Sequence, residues 1–423
     1  MKKFLLIVCF IFSLSYTFSQ WAEQVKIENR TYIPDIESIK LRIDGVDYGQ
    51  PIISLNGNEP LRLSFDELDG ESRYLKYTVI HCTHDWKISG LNPLEYIDGF
   101  MEDEISDISY SFNTIQRYVH YELVFPNEQI RIIKSGNYLL YVFDDTQENP
   151  ILTRRFMVVE STQAAVQGSV RAATDVNYSN TKQQVDFVVR TAPYIVNNPS
   201  MFLKATIIQN GRWDNAIIGL RHHSGRPGEF RFEYYNNENV MNGGSEFRTF
   251  DIRSIRRNGD RIVSVNFRNR INQAYILEDV ARPFGAYQSN TTLRGQCMYK
   301  NEDFAGKNAE DYVLTHFSLR PDFKIAGGDI YVFGELTDWQ IQEDAKLKFN
   351  PESNYWEAQM FLKQGYYNYQ YVYVKHGTTT IDETYIEGNH WQTQNDYTVL
   401  VYLREEGTSY DKLIGISHLN ITQ

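Results

Sequence analysis

Four residues with metal-ligating or nucleophilic side chains fall within five positions at His81-Cys82-Thr83-His84-Asp85. On a strand the side chains alternate, so His81, Thr83 and Asp85 face one way while Cys82 and His84 face the other, and they do not close around one ion. No second ligand pair of zinc-site spacing accompanies them, and the adjacent pair His222-His223 diverges for the same reason. The expectation is therefore no metal site and no cofactor. Acidic neighbours such as Asp66-Glu67 and Asp144-Asp145 read as turn carboxylates, because an acid/base pair has to meet across a cleft. There is no Gly-x-Ser-x-Gly elbow and no phosphate-cradling glycine loop. These readings predict no catalytic residue and a protein that is not an enzyme.

The elements that must position any working residue are strands. Aromatic residues make up 14% of the 423, with Tyr 30 and Phe 24, a composition that suits pleated, half-buried surfaces. Ile39, Leu41 and Ile43 alternate with Lys40 and Arg42, and similar period-2 runs recur between turn signals such as Asn56-Gly57, Asn210-Gly211 and Asn242-Gly243-Gly244. The predicted class is all-β, with three consecutive antiparallel β-sandwiches of immunoglobulin-like or early-set type after a signal peptide.

The expected segments are a signal peptide over 1–19, an N-terminal sandwich over 20–160, a middle sandwich over 169–319, a C-terminal early-set sandwich over 322–403 and a tail over 404–423. Met1-Lys2-Lys3 followed by the apolar run Phe4 to Leu14 and small residues before Gln20 predicts export, with cleavage near Ser19 and a periplasmic product. The net charge of -12 works against binding a phosphate backbone, so nucleic acid is not an expected partner. It also works against stable membrane insertion, and no later segment is apolar enough for a spanning helix. The free protein is expected to be a monomer.

Exposed aromatic residues are the remaining candidates. Strand alternation assigns Tyr367, Tyr369, Tyr371 and Tyr373 to one face, read as core, and leaves Trp339 in the preceding loop as a candidate ligand contact. Trp86 and Trp213 lie in two further loops, Asp85 to Asn92 and Arg212 to Asn215, which are candidate partner contacts because loops on a stiff scaffold carry recognition.

Tyr331-Val332-Phe333-Gly334, then Asp338-Trp339, then Gly365 through Tyr371 resemble a glycogen-binding early-set module, in which the tryptophan matching Trp339 stacks on glucan. The stretch Lys375 to Thr380 stands where that class carries its second tryptophan. Over nearly the whole mature chain the sequence resembles the type IX secretion system plug family of Bacteroidetes. The residues that carry this are His81 through Trp86, Asn92 through Gly99, Thr153 through Val158, Gln209 through Asp214, Phe250 through Ser254 and Gly365 through Tyr371. The resemblance implies a periplasmic protein that docks on the inner mouth of an outer-membrane translocon β-barrel and seals it between export events. The rival reading is a glycan-binding periplasmic protein that uses the third block.

Overall fold

The computed structural model of the chain describes residues 25–68, 70–321 and 323–421. The expected leader lies outside the described residues. The protein is all-β, as the alternation predicts, and its strands form three sandwiches.

The N-terminal sandwich packs a sheet of Ile36–Ile43, Leu61–Leu68, Tyr118–Phe125 and Asp107–Tyr110 against a sheet of Leu75–Cys82, Gly136–Asp144 and Pro150–Val159. One face of each strand fills the layer between them: Tyr77 and Val79, Tyr138 and Leu140, Phe156 and Val158. The alternate residues Ile80, Cys82, Leu139, Tyr141 and Met157 point the other way and are buried too. Their cover is the middle sandwich, whose strands Leu203–Gln209, Asp396–Leu403 and Lys412–Asn420 turn Ile208, Leu400, Tyr402 and Leu413 toward them. The opposite faces of these three strands, through Ile207, Val399 and Ile414, pack on Val185, Phe187 and Phe232. Four sheet layers are thus stacked with an apolar layer between each pair. The two central layers are joined at one edge by the parallel pair Val159 and Leu413.

The division along the chain differs from the expected one. Asp396–Leu403, read as the last strand of a third consecutive block, pairs with Leu203–Gln209 of the middle sandwich. Lys412–Asn420, read as a short tail, is a nine-residue strand beside it. The strands from Arg248–Asp251 through Tyr312–Arg320, read as part of the middle block, belong to the third sandwich, where Arg248–Asp251 pairs with Gly365–Lys375. The third sandwich is therefore inserted between two halves of the second. Alternation reports that a strand has a buried face and not which strand covers it, so the reading followed chain order.

The third sandwich packs Arg248–Asp251, Cys297–Tyr299, Gly328–Phe333 and Gly365–Lys375 over Ile262–Arg268, Ile271–Ile276, Tyr312–Arg320 and Tyr355–Lys363. Tyr367, Tyr369 and Tyr371 are core, as their spacing predicts. The whole body seats on the outer face of the N-terminal sandwich through buried charges. Lys363 Nζ lies 2.6 Å from Asp66, Lys40 Nζ lies 2.5 Å from Glu335, and Tyr312 donates to Asp66 at 2.7 Å.

Candidate functional site

The loop after strand Leu75–Cys82 is a tight turn in which Thr83 donates to the Asp85 carboxylate at 2.6 Å and the Trp86 N–H donates to the Thr83 carbonyl at 3.0 Å. This puts Trp86 in the left-handed region, at φ 59, an uncommon conformation for a bulky side chain. Its indole turns back onto the sheet and meets Trp213 edge to face, with ring centroids 4.8 Å apart. The Arg155 guanidinium lies 4.4 Å over Trp86 and 5.5 Å from Trp213, and its Nε donates to the Ile27 carbonyl at 3.0 Å. Burial, the largest influence, brings the Arg155 pKa down to about 10, so it stays charged at neutral pH. The two tryptophans predicted as separate loop contacts therefore form one box around a cation. That box locks the N-terminal sandwich to the middle one.

Trp339 follows Asp338, and both take left-handed backbone, at φ 56 and φ 55. Its indole packs edge-on against Phe333 and Phe247, at 5.5 and 6.0 Å. Gly295 lies so close that a Cβ there would stand 2.2 Å from the indole. Arg212, itself buried, lies 5.1 Å over the ring and also pairs with Asp214 at 2.7 Å and with Glu383. Trp339 is thus a joint between the third and middle sandwiches. Trp213 and Trp339 both border a groove of about 280 Å³, together with Asn29, Asp214 and Asp338. All three predicted tryptophans converge on this junction of the three bodies.

Arg212 covers one face of the half-buried Trp339 and two aromatic rings hold its edges, so at most one face remains for a sugar ring. Titration with glucan oligosaccharides is expected to leave the tryptophan fluorescence of the wild-type protein and of Trp339→Phe alike unchanged. A saturable change in the wild type alone would restore the sugar reading.

Within the His81–Asp85 run the strand ends at Cys82, so alternation separates only His81 from Cys82 and the turn carries the other three away. His81 points into the N-terminal sandwich, where its ring meets Tyr138 at 4.8 Å, and burial lowers its pKa to about 4. Cys82 lies in the layer beneath the middle sandwich, and burial pushes its thiol up to about 12. His84 pairs with Asp411 at 2.9 Å. Among the described residues no group of three or more His, Cys, Asp or Glu is arranged to hold a metal. A cavity of about 430 Å³ between the N-terminal and third sandwiches is bordered by Glu37. Burial and then Asp344 raise the Glu37 carboxyl to about 8, so it is mostly protonated at neutral pH.

The residues missed in the sequence are the arginines that hold these aromatics. Arg154 and Arg155 are neighbours on one central strand, so they point to opposite faces. Arg154 Nη2 reaches Asp338 at 2.9 Å while Arg155 enters the tryptophan box. Two consecutive cations in an otherwise apolar strand were the available signal, since a charge is kept there only when both faces meet partners.

Comparison with known proteins bears on residues 36–160, which match the model of the type 9 secretion system plug protein first domain. A hypothetical protein from Parabacteroides merdae, solved by crystallography, is similar at 32% identity and TM-score 0.88, over 94% of this chain and 100% of that one. Dimeric latent PorU from Porphyromonas gingivalis aligns with 10% identity and TM-score 0.15, over 92% of this chain and 34% of that one, too loosely to inform the fold. No curated protein matches. The match spans the N-terminal sandwich from its first long strand to the end of Pro150–Val159, and the chain belongs to the type 9 secretion system plug protein family.

Proposed function

We propose that this protein seats on the periplasmic mouth of the type IX outer-membrane translocon barrel and closes it between export events. The observation that carries the reading is the family match over the N-terminal sandwich. The architecture supports it. A seal must resist deformation across a wide opening, and a four-layer stack clamped by a third body through buried ion pairs is stiff along every layer. The family suggests a structural role in the cell envelope. No helix among the described residues is long and apolar enough to cross a membrane. Docking from the periplasmic side asks for no such helix.

The test has two parts. Tagged protein expressed at its native level should be recovered with the translocon barrel from detergent-solubilised outer membranes. Deleting its gene should admit large antibiotics normally kept out by that membrane, and re-expression should restore the barrier. A deletion strain as impermeable as its parent would remove the sealing role.

A further inference from the structure

The molecule is acidic as a whole, at -12, yet one end carries uncompensated arginines beside exposed rings. The tight hairpin between Ile262–Arg268 and Ile271–Ile276 turns through Asn269 and Arg270, both left-handed, at φ 52 and 65. Such two-residue turns favour glycine at the second position, and an arginine held there is under backbone strain. Arg268 and Arg270 are exposed at this tip, and Phe267 just before them is 63% exposed.

A loop of the N-terminal sandwich lies beside the tip. Buried Asp311 accepts the N–H groups of Ile115 and Gln116, both at 3.0 Å, and the Asn272 amide at 3.4 Å. Asn272 is the ladder partner of Phe267, so one carboxylate binds both segments together. The loop contributes Phe112, 64% exposed, with exposed Ile115 and Arg117. Arg117, Arg268 and Arg270 form no ion pair among the described residues. Asp311, the acid between the two segments, is taken up by these donors, and Glu310 beside it is half-buried.

We infer that this ridge is a peripheral contact for an anionic phospholipid surface, with Phe112, Ile115 and Phe267 entering the headgroup region and the three arginines meeting phosphates. Charge complementarity selects the partner. Three arginines without an ion pair stand together here on an acidic protein, beside rings that are 63% and 64% exposed, as suits a deformable anionic acceptor more than a rigid one. The inference gives the plug reading an orientation, since this end would lie against the leaflet around the barrel. It does not depend on that reading.

Co-sedimentation of the full mature chain with vesicles tests it without any translocon. Vesicles of phosphatidylcholine mixed with phosphatidylglycerol should carry the protein down, and vesicles of phosphatidylcholine alone should not. Inorganic phosphate at matched charge should fail to displace it, which separates a membrane surface from a free phosphate site. Each arginine at such a surface is worth about fivefold in partitioning, so Arg117→Glu/Arg268→Glu/Arg270→Glu should weaken binding by at least about a hundredfold. Phe112→Ser/Phe267→Ser should weaken it with the charges intact. All five positions are exposed, and an unchanged thermal melt verifies folding of each variant. Equal sedimentation of the charge-reversed protein, no sedimentation of the wild type with the mixed vesicles, or displacement by phosphate would overturn the inference.

Discussion

Glu387→Ala is expected to be the most damaging single substitution, lowering stability by about 3–5 kcal/mol, because it strips two guanidinium groups of their shared anion. Glu387 is 1% exposed at the end of the short helix Thr384–Glu387. It accepts from Arg248 Nε at 2.9 Å, from Arg282 Nε at 2.7 Å and from the Tyr371 N–H at 2.9 Å. Arg248 reaches on to Asp279 at 2.7 Å, and Asp279 also accepts from the Tyr369 and Tyr371 hydroxyls. The carboxylate thus ties the inserted sandwich's helix to its central strand. Burial alone would raise its pKa, but Arg248 and Arg282 outweigh burial and bring it from 4.5 to about 2. The folded state therefore holds this proton less tightly than the unfolded one. The stabilisation is complete above pH 4.5 and is lost as pH falls from there through about 2. Denaturant midpoints measured across that range should fall steeply in the wild type. In Glu387→Ala the drop due to this group should be missing, and a variant that tracks the wild type at every pH would refute the assignment.

Lys363→Met should cost a similar amount, about 3–5 kcal/mol, at the seam between the N-terminal and third sandwiches. Asp66 is fully buried there, and Lys363 Nζ lies 2.6 Å from it. Burial disfavours the Asp66 charge, and Lys363 followed by His120 more than offset it, so the carboxyl titrates below its usual range. Removing the ammonium takes away the first of the two groups that stabilise this buried carboxylate. Adding Asp66→Asn to Lys363→Met should recover part of the loss, since the neutral amide needs no counter-charge and its oxygen can still accept from one of Tyr312 and His120, which bond to different oxygens of Asp66. Urea unfolding of the two single variants and the double variant supplies the cycle. Simple additivity of the two losses would mean that the residues do not act as a pair.

The tyrosines of Gly365–Lys375 show how far pattern reading reaches. Their period-2 spacing identified Tyr367, Tyr369 and Tyr371 as core correctly. The polar residues between them, Asn368 and Gln370, alternate to the opposite face and would suit water, yet both are buried, and the Leu293 N–H donates to the Asn368 side chain. A polar residue covered by a connecting segment and one facing water look alike in sequence. Trp86 and Trp339 lie in loops as read, whereas Trp213, read in a loop over Arg212 to Asn215, is the second residue of the strand Arg212–Leu220. The convergence of the three was not legible, because it depends on Arg155 and Arg212, drawn from strands distant in sequence.

The interruption of the middle sandwich dictates an order of assembly. As the polypeptide emerges from its N-terminus, Leu203–Gln209 has to wait for Asp396–Leu403, and in the meantime an apolar strand edge stands open to self-association. The insert relieves the delay. Its two ends lie side by side, with the His390 N–H bonded to the Gly244 carbonyl at 2.8 Å. Once folded it behaves as a short clasp in place of a long slack loop, which reduces the entropy lost when the final strands close the layer.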